Sequence, residues 1–101
     1  MKKNTDHFNV LRKIQNSPGS SQRELAEDLG FSLGKLNYCL KALKNKGLVK
    51  IDNFTKSDKK INYIYNLTPK GIAQKTKLTI EFMKIKMNEY DELQSELKGK
   101  K

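Results

Sequence analysis

Lys35, Asn37, Tyr38, Lys41 and Asn45 fall within one short stretch, Ser32 to Lys46 (SLGKLNYCLKALKNK), and carry groups able to read hydrogen-bonding edges. At 100° per residue, Leu36, Leu40 and Leu43 gather on one side of a helix, flanked by Leu33 and Cys39. Gly34, Tyr38, Lys41 and Asn45 gather on the other side, with Lys35 and Asn37 at its edges. In a DNA major groove an Asn amide pairs with adenine and a Lys ammonium with guanine acceptors. Gly34 would allow a base edge close to the backbone. Ser32 stands at the N-cap, where first-turn N–H groups hold phosphate. A plain packing helix with a solvated lysine face could show the same two sides, so its neighbours must decide.

The stretch just before it reads as a shorter helix. Ser21 and Glu24 form an S-x-x-E capping box, Leu25, Ala26 and Leu29 point inward, and Gly30 supplies a left-handed stop. Two residues after Gly30, Ser32 caps the next helix, which Gly47 ends. Upstream, Thr5 or Asp6 can cap a first helix that buries Phe8, Val10, Leu11 and Ile14 and stops at Ser17-Pro18-Gly19. Three helices with a three-residue link between the last two make a helix-turn-helix.

Beyond Gly47 the apolar period moves from helical towards two. Leu48, Val49, Ile51 and Phe54 predict one strand, and Ile61, Tyr63, Tyr65 and Leu67 predict a clearer second one. Between them lies TKSDKK, Thr55 to Lys60, a basic hairpin tip of the kind called a wing. Lys56, Lys59 and Lys60 would meet phosphate or the minor groove there, adding affinity and salt dependence rather than base discrimination.

Thr68-Pro69 opens a last helix by hydroxyl capping and a proline at the first helical position. It is predicted to run to about Leu97, roughly 40 Å. Ala73, Ile80, Met83, Met87, Tyr90 and Leu97 follow a 3-4 spacing whose polar slots are Thr76 and Gln94. Leu78, Phe82, Ile85 and Leu93 form an offset second stripe. So wide an apolar arc needs more than one neighbour. The start is expected to pack on the preceding domain. Ile80, Met83, Met87, Tyr90 and Leu97 are expected to form a dimer interface with a second copy.

Charge divides along the same lines. The chain of 101 residues has a net charge of +10, which favours a polyanionic partner. Residues 32–60 hold eight lysines against Asp52 and Asp58, whereas residues 81–97 hold two against five carboxylates. The distal helix would be repelled by phosphate, which suits a protein-facing role.

Other classes find little in the residues. One cysteine excludes an internal disulfide, and one histidine with no CxxC pair leaves no zinc site. Cys39 reads as a small buried hydrophobe, with a redox role, favoured by nearby lysines, held in reserve. His7 reads as a surface residue at a helix start. No phosphate loop, nucleophile–histidine set or paired catalytic carboxylates occur, so no enzyme and no cofactor are expected. The segment MKKNTDHFNV lacks the apolar run of a signal peptide, and no stretch is long enough to span a membrane, so a cytoplasmic protein is expected. The fold expected is mainly α with a small β-hairpin (α+β). A winged helix-turn-helix occupies 1–68, and 69–101 is a long C-terminal dimerisation helix.

Glu24 to Ile51 (ELAEDLGFSLGKLNYCLKALKNKGLVKI) and Asn66 to Gly71 (NLTPKG) resemble the winged-helix regulators of the MarR family. The likeness points to the small subgroup associated with bacterial exopolysaccharide gene clusters. It implies a homodimeric transcriptional regulator that binds double-stranded DNA through Ser32 to Asn45 and the wing. Asp58 and Lys60 occupy places similar to the family's Asp-x-Arg wing motif. Typical members carry extra dimerisation helices around a phenolic-ligand pocket. This chain has a single long helix there, which argues against a small-molecule effector. Two recognition helices about 34 Å apart imply a pseudo-palindromic site. The alternatives are a winged-helix protein-interaction module that recruits an acidic protein, or a non-specific RNA or nucleoid binder.

Overall fold

A computed structural model describes residues 2–55 and 61–99, with side chains for 5–52 and 63–99. Helix α1 spans Lys2–Asn16, α2 Gln22–Leu29 and α3 Leu33–Asn45. Strands β1 (Val49–Thr55) and β2 (Ile61–Leu67) follow, and α4 runs Pro69–Gly99. This is the expected winged helix-turn-helix with a long C-terminal helix.

The first helix begins earlier than its capping residues suggested. Thr5 and Asp6 lie inside α1, because no glycine or proline interrupts the chain between Lys2 and Asn16. His7 is also displaced from its expected place: it is buried, 6% exposed. With Leu11 and Ile14 it follows an i, i+4, i+7 spacing, which puts it on the inward stripe rather than at the surface.

The α2 cap is the reciprocal box expected. The Ser21 N–H donates to Glu24 Oε1 at 2.9 Å, and the Glu24 N–H donates to Ser21 Oγ at 3.2 Å. Gly30 ends the helix at φ 72°, a left-handed conformation that costs glycine nothing. On α3, Leu36, Cys39, Leu40 and Leu43 are buried, whereas Leu33 is 48% exposed. Leu33 therefore leaves the apolar side to which it was assigned; as the first residue after the cap, it has no neighbouring element over it.

The core joins Val10, Leu11 and Ile14 of α1 to Leu25 and Ala26 of α2 and to the inner face of α3. Leu48, Val49 and Tyr65 close it from the hairpin side, and Leu78 from α4. The hairpin is antiparallel, with Val49 opposite Leu67 and Ile51 opposite Tyr65. These four residues form its inward face, and the buried Tyr65 hydroxyl donates to Gln22 Oε1 at 3.3 Å, tying the hairpin to α2.

Helix α4 has 31 residues, about 46 Å at 1.5 Å per residue. Its first turn is joined to the α3–β1 junction. The Thr68 hydroxyl donates to the Gly47 carbonyl at 2.6 Å and accepts from the Gly71 N–H at 3.0 Å. The Thr68 N–H donates to the Leu48 carbonyl at 3.0 Å. Gly71 is buried there, and any Cβ on it would collide with the Leu48 carbonyl oxygen. Farther along, Phe82 stacks on Phe8 of α1 with ring centroids 4.8 Å apart. Beyond that stack α4 projects outward, and the molecule extends 67 × 25 × 20 Å. Among the described residues no helix is long and apolar enough to cross a membrane.

Candidate nucleic-acid interface

Burial of Leu36, Leu40 and Leu43 fixes the rotation of α3, and with it the side presented to solvent. Ser32, Gly34, Lys35, Asn37, Tyr38, Lys41 and Asn45 are all exposed, and Tyr38 keeps 62% of its surface. The two-sided pattern of the sequence is therefore real in space. It places two amides, two ammonium groups and a phenol on one surface.

The N-terminal end of that surface is pre-formed. Ser32 Oγ accepts from the Lys35 N–H at 3.1 Å, and its carbonyl accepts from the Leu36 N–H at 3.0 Å. Serving as acceptor leaves the Ser32 hydroxyl hydrogen free to donate outward. Gly34 follows in open space: an added Cβ there meets nothing within 4 Å. No internal contact requires glycine at this exposed first-turn position.

Lys35 differs from its neighbours. Its Nζ lies 3.4 Å from Asp6 Oδ2 and 4.2 Å from the ring centroid of Phe31. The side chain is drawn off the outer face towards α1. The structure thus brings Gly34, Tyr38, Lys41 and Asn45 together as the centre of the face. Asn37 lies at one edge and an engaged Lys35 at the other.

Lys56, Lys59 and Lys60 lie outside the described residues, as does Asp58. The strands that carry the tip are described, and near their base the Asn66 amide donates to Asp52 Oδ2 at 2.8 Å. Lys50 is exposed on β1 next to this pair.

Cys39 is 3% exposed. Burial pushes its thiol up from its ordinary value, the Asp6 carboxylate adds to that rise, and Lys35 opposes it. The pull of nearby lysines therefore does not prevail, and the thiol is neutral at physiological pH. The environment favours the packing role over the redox role. Among the described residues no group of His, Cys, Asp and Glu is placed to hold a metal ion.

A family model described as winged helix-turn-helix DNA-binding matches residues 7–50, from within α1 to the start of β1. The chain has the winged helix-turn-helix fold. No curated protein matches the sequence, but many solved structures share its fold. PcaV, a transcriptional regulator from Streptomyces coelicolor solved with its natural ligand, is 20% identical, over 80% of this chain and 56% of PcaV, at TM-score 0.70. The PadR-like regulator BC4206 from Bacillus cereus is 18% identical, over 87% of this chain and 90% of its own, at TM-score 0.78. CouR, a transcriptional repressor solved on a 23-mer DNA duplex, is 27% identical, over 91% of this chain and 61% of its own, at TM-score 0.64. The MarR family transcription regulator SP03579 is 18% identical, over 90% of this chain and 66% of its own, at TM-score 0.66, so it shares the winged-helix fold found here. The chain spans little more than half of PcaV and nearly all of BC4206. A winged helix with one long C-terminal helix thus has a solved counterpart of about the same extent.

Proposed function

We propose that this chain is a MarR-like transcriptional regulator that binds double-stranded DNA as a homodimer. The recognition helix, about residues 32–46, enters the major groove, and the wing, residues 55–60, lies on phosphate or the minor groove. The exposed face of α3 is the observation that carries this reading: its hydrogen-bonding side chains surround a glycine that no internal contact requires. Asn37, Tyr38, Lys41 and Asn45 read base edges, with Gly34 permitting close approach. Lys56, Lys59 and Lys60 hold the backbone. CouR on its DNA duplex supports the same use of this fold.

The distal part of α4 supports pairing. Ile80, Met83, Met87, Tyr90 and Leu97 are between 50% and 86% exposed. So many large apolar side chains along one projecting helix mark a surface meant for another chain. Met83 and Met87 also line a groove of about 840 Å³ beside Phe8, Arg12 and Phe82. A second copy packed along this face gives two recognition helices for successive major grooves about 34 Å apart, hence a pseudo-palindromic site. The resemblance to the exopolysaccharide-associated subgroup makes such genes the regulated class in this reading, and the cytoplasm its place of action. PcaV binds a natural ligand, but the proposed mechanism assigns no effector to this chain.

The test is selection from a random duplex pool at two salt concentrations. Enrichment of a motif with two related half-sites is the expected result. Equal binding of all duplexes would reduce the protein to a non-specific binder, and failure to bind any duplex would leave the acidic-protein module as the reading.

A further inference from the structure

The engagement of Lys35 gives Asp6 a part in binding, an inference that rests on the DNA-binding reading above. Asp6 belongs to α1, yet its carboxylate reaches the edge of the recognition helix and lies 3.4 Å from Lys35 Nζ. The Asp6 side chain is 21% exposed and that of Lys35 43%, so both are partly withdrawn from solvent. The Phe31 ring, in the turn between α2 and α3, holds the same ammonium at 4.2 Å. A cation fixed by a carboxylate and an aromatic face has fewer alternatives than one on a free tether. Two other carboxylates near α1–α3 are engaged elsewhere: Glu24 serves the α2 cap, and Asp28 lies 3.8 Å from Lys13.

From this geometry we infer that Asp6 is a built-in attenuator of DNA affinity, withholding Lys35 from the phosphates that flank the recognition helix. In the free and bound protein alike, Lys35 neutralises Asp6 and not the DNA. Its place on the binding face is set by a helix that does not enter the groove. The pair lowers the sequence-independent share of binding and leaves discrimination to Asn37, Tyr38, Lys41 and Asn45. Phosphate contacts add affinity to every sequence, so withholding one raises the relative weight of base contacts.

The test uses the whole chain and a fluorescein-labelled duplex, selected as above or of random sequence. Asp6→Asn keeps the shape and removes the charge. It should bind roughly fivefold tighter at about 50 mM salt and steepen the salt dependence by about one counterion, as one added phosphate contact does. Asp6→Glu should restore the wild-type slope. The double variant Asp6→Asn/Lys35→Ala should match the wild-type slope and affinity within about twofold, because a self-neutralising pair has been removed. On the unaltered protein, NMR of the lysine ammonium groups should show Lys41 shifting on addition of duplex while Lys35 stays in place. An unchanged Asp6→Asn slope, a double variant that loses about one counterion of slope, or a Lys35 signal that moves with Lys41 would overturn the attenuator. The wild-type titration separates the two claims. If it shows no binding, both fall; if it shows binding without these effects, only the attenuator does.

Discussion

The rings of Phe8 and Phe82 stack with centroids 4.8 Å apart and planes within 5° of parallel, and join the first helix to the middle of the last. Arg12 adds its guanidinium 5.5 Å from the Phe8 centroid. Beyond this stack the large apolar residues of α4 are at least half exposed. Phe82→Ala should destabilise the fold by about 2–3 kcal/mol, somewhat below the usual range for a fully buried Phe because Phe82 is partly exposed. Urea unfolding followed by circular dichroism would measure it. A loss well under 1 kcal/mol would mean that α4 is anchored by its first turns alone.

Two glycines should respond in opposite directions. Gly71→Ala sets a methyl group against the Leu48 carbonyl, a backbone atom that cannot swing away, and should cost about 1–3 kcal/mol of stability. Gly34→Ala meets open space on a helix and should stabilise the protein by about 0.5–1 kcal/mol. The same change should weaken DNA binding, because the added methyl occupies the surface offered to the groove. Thermal melts read the first effect and duplex titration the second. Gain of stability together with unchanged binding would remove Gly34 from the interface.

These contrasts show what could be read from the chain and what could not. Caps and periods are local, so Ser21–Glu24, Gly30 and the alternation Ile61 to Leu67 placed α2, its end and the second strand correctly. The inner side of α3 followed from spacing for the same reason. The start of α1 did not, because Thr5 and Asp6 are good caps in isolation but nothing upstream breaks the helix. His7 was misplaced although the spacing to Leu11 and Ile14 carried the signal. The need for Gly71 was not legible, since it comes from Leu48, which only the fold brings beside it. Lys35 looked like one more basic group on the face, because its partner Asp6 lies on another helix.

Base reading predicts uneven losses. Lys41 is exposed near the centre of the α3 face and Asn37 at its edge. Lys41→Ala and Asn37→Ala should each weaken the best selected site by about 1–3 kcal/mol and weaken unrelated duplexes much less. Titration against a panel of single-base variants checks this. A uniform loss across the panel would demote either residue to a phosphate contact.

Alkaline pH should destabilise the fold through two groups with the same sign. Burial raises the Cys39 thiol from its ordinary 9.0 and the Tyr65 hydroxyl from its ordinary 10.0. Below those ordinary values both groups are neutral in folded and unfolded chains, and this contribution to stability is complete. Above them the unfolded chain ionises first, so stability falls as pH rises towards the folded values. Urea midpoints from pH 8 upward should decline, and Cys39→Ala should flatten the earlier part of that decline. A midpoint that rises over this range would contradict the buried placement of both groups.

Pairing through α4 is best tested beyond the Phe8–Phe82 stack, since a cut before Ile80 would also remove Phe82 and confuse folding with association. Met87 and Leu97 are 60% and 86% exposed, so aspartate at these positions should leave the folded chain intact. In a dimer the same positions are covered, and two buried charges per chain next to Glu89, Asp91, Glu92 and Glu96 would repel one another. Met87→Asp/Leu97→Asp should therefore sediment as a monomer with an unchanged circular dichroism spectrum. Duplex affinity should fall by about two orders of magnitude or more, because two half-sites would no longer be bound as one unit. A variant that stays dimeric would move the interface away from the distal helix. A wild-type protein that is itself monomeric at micromolar concentration would remove the predicted coupling between half-sites.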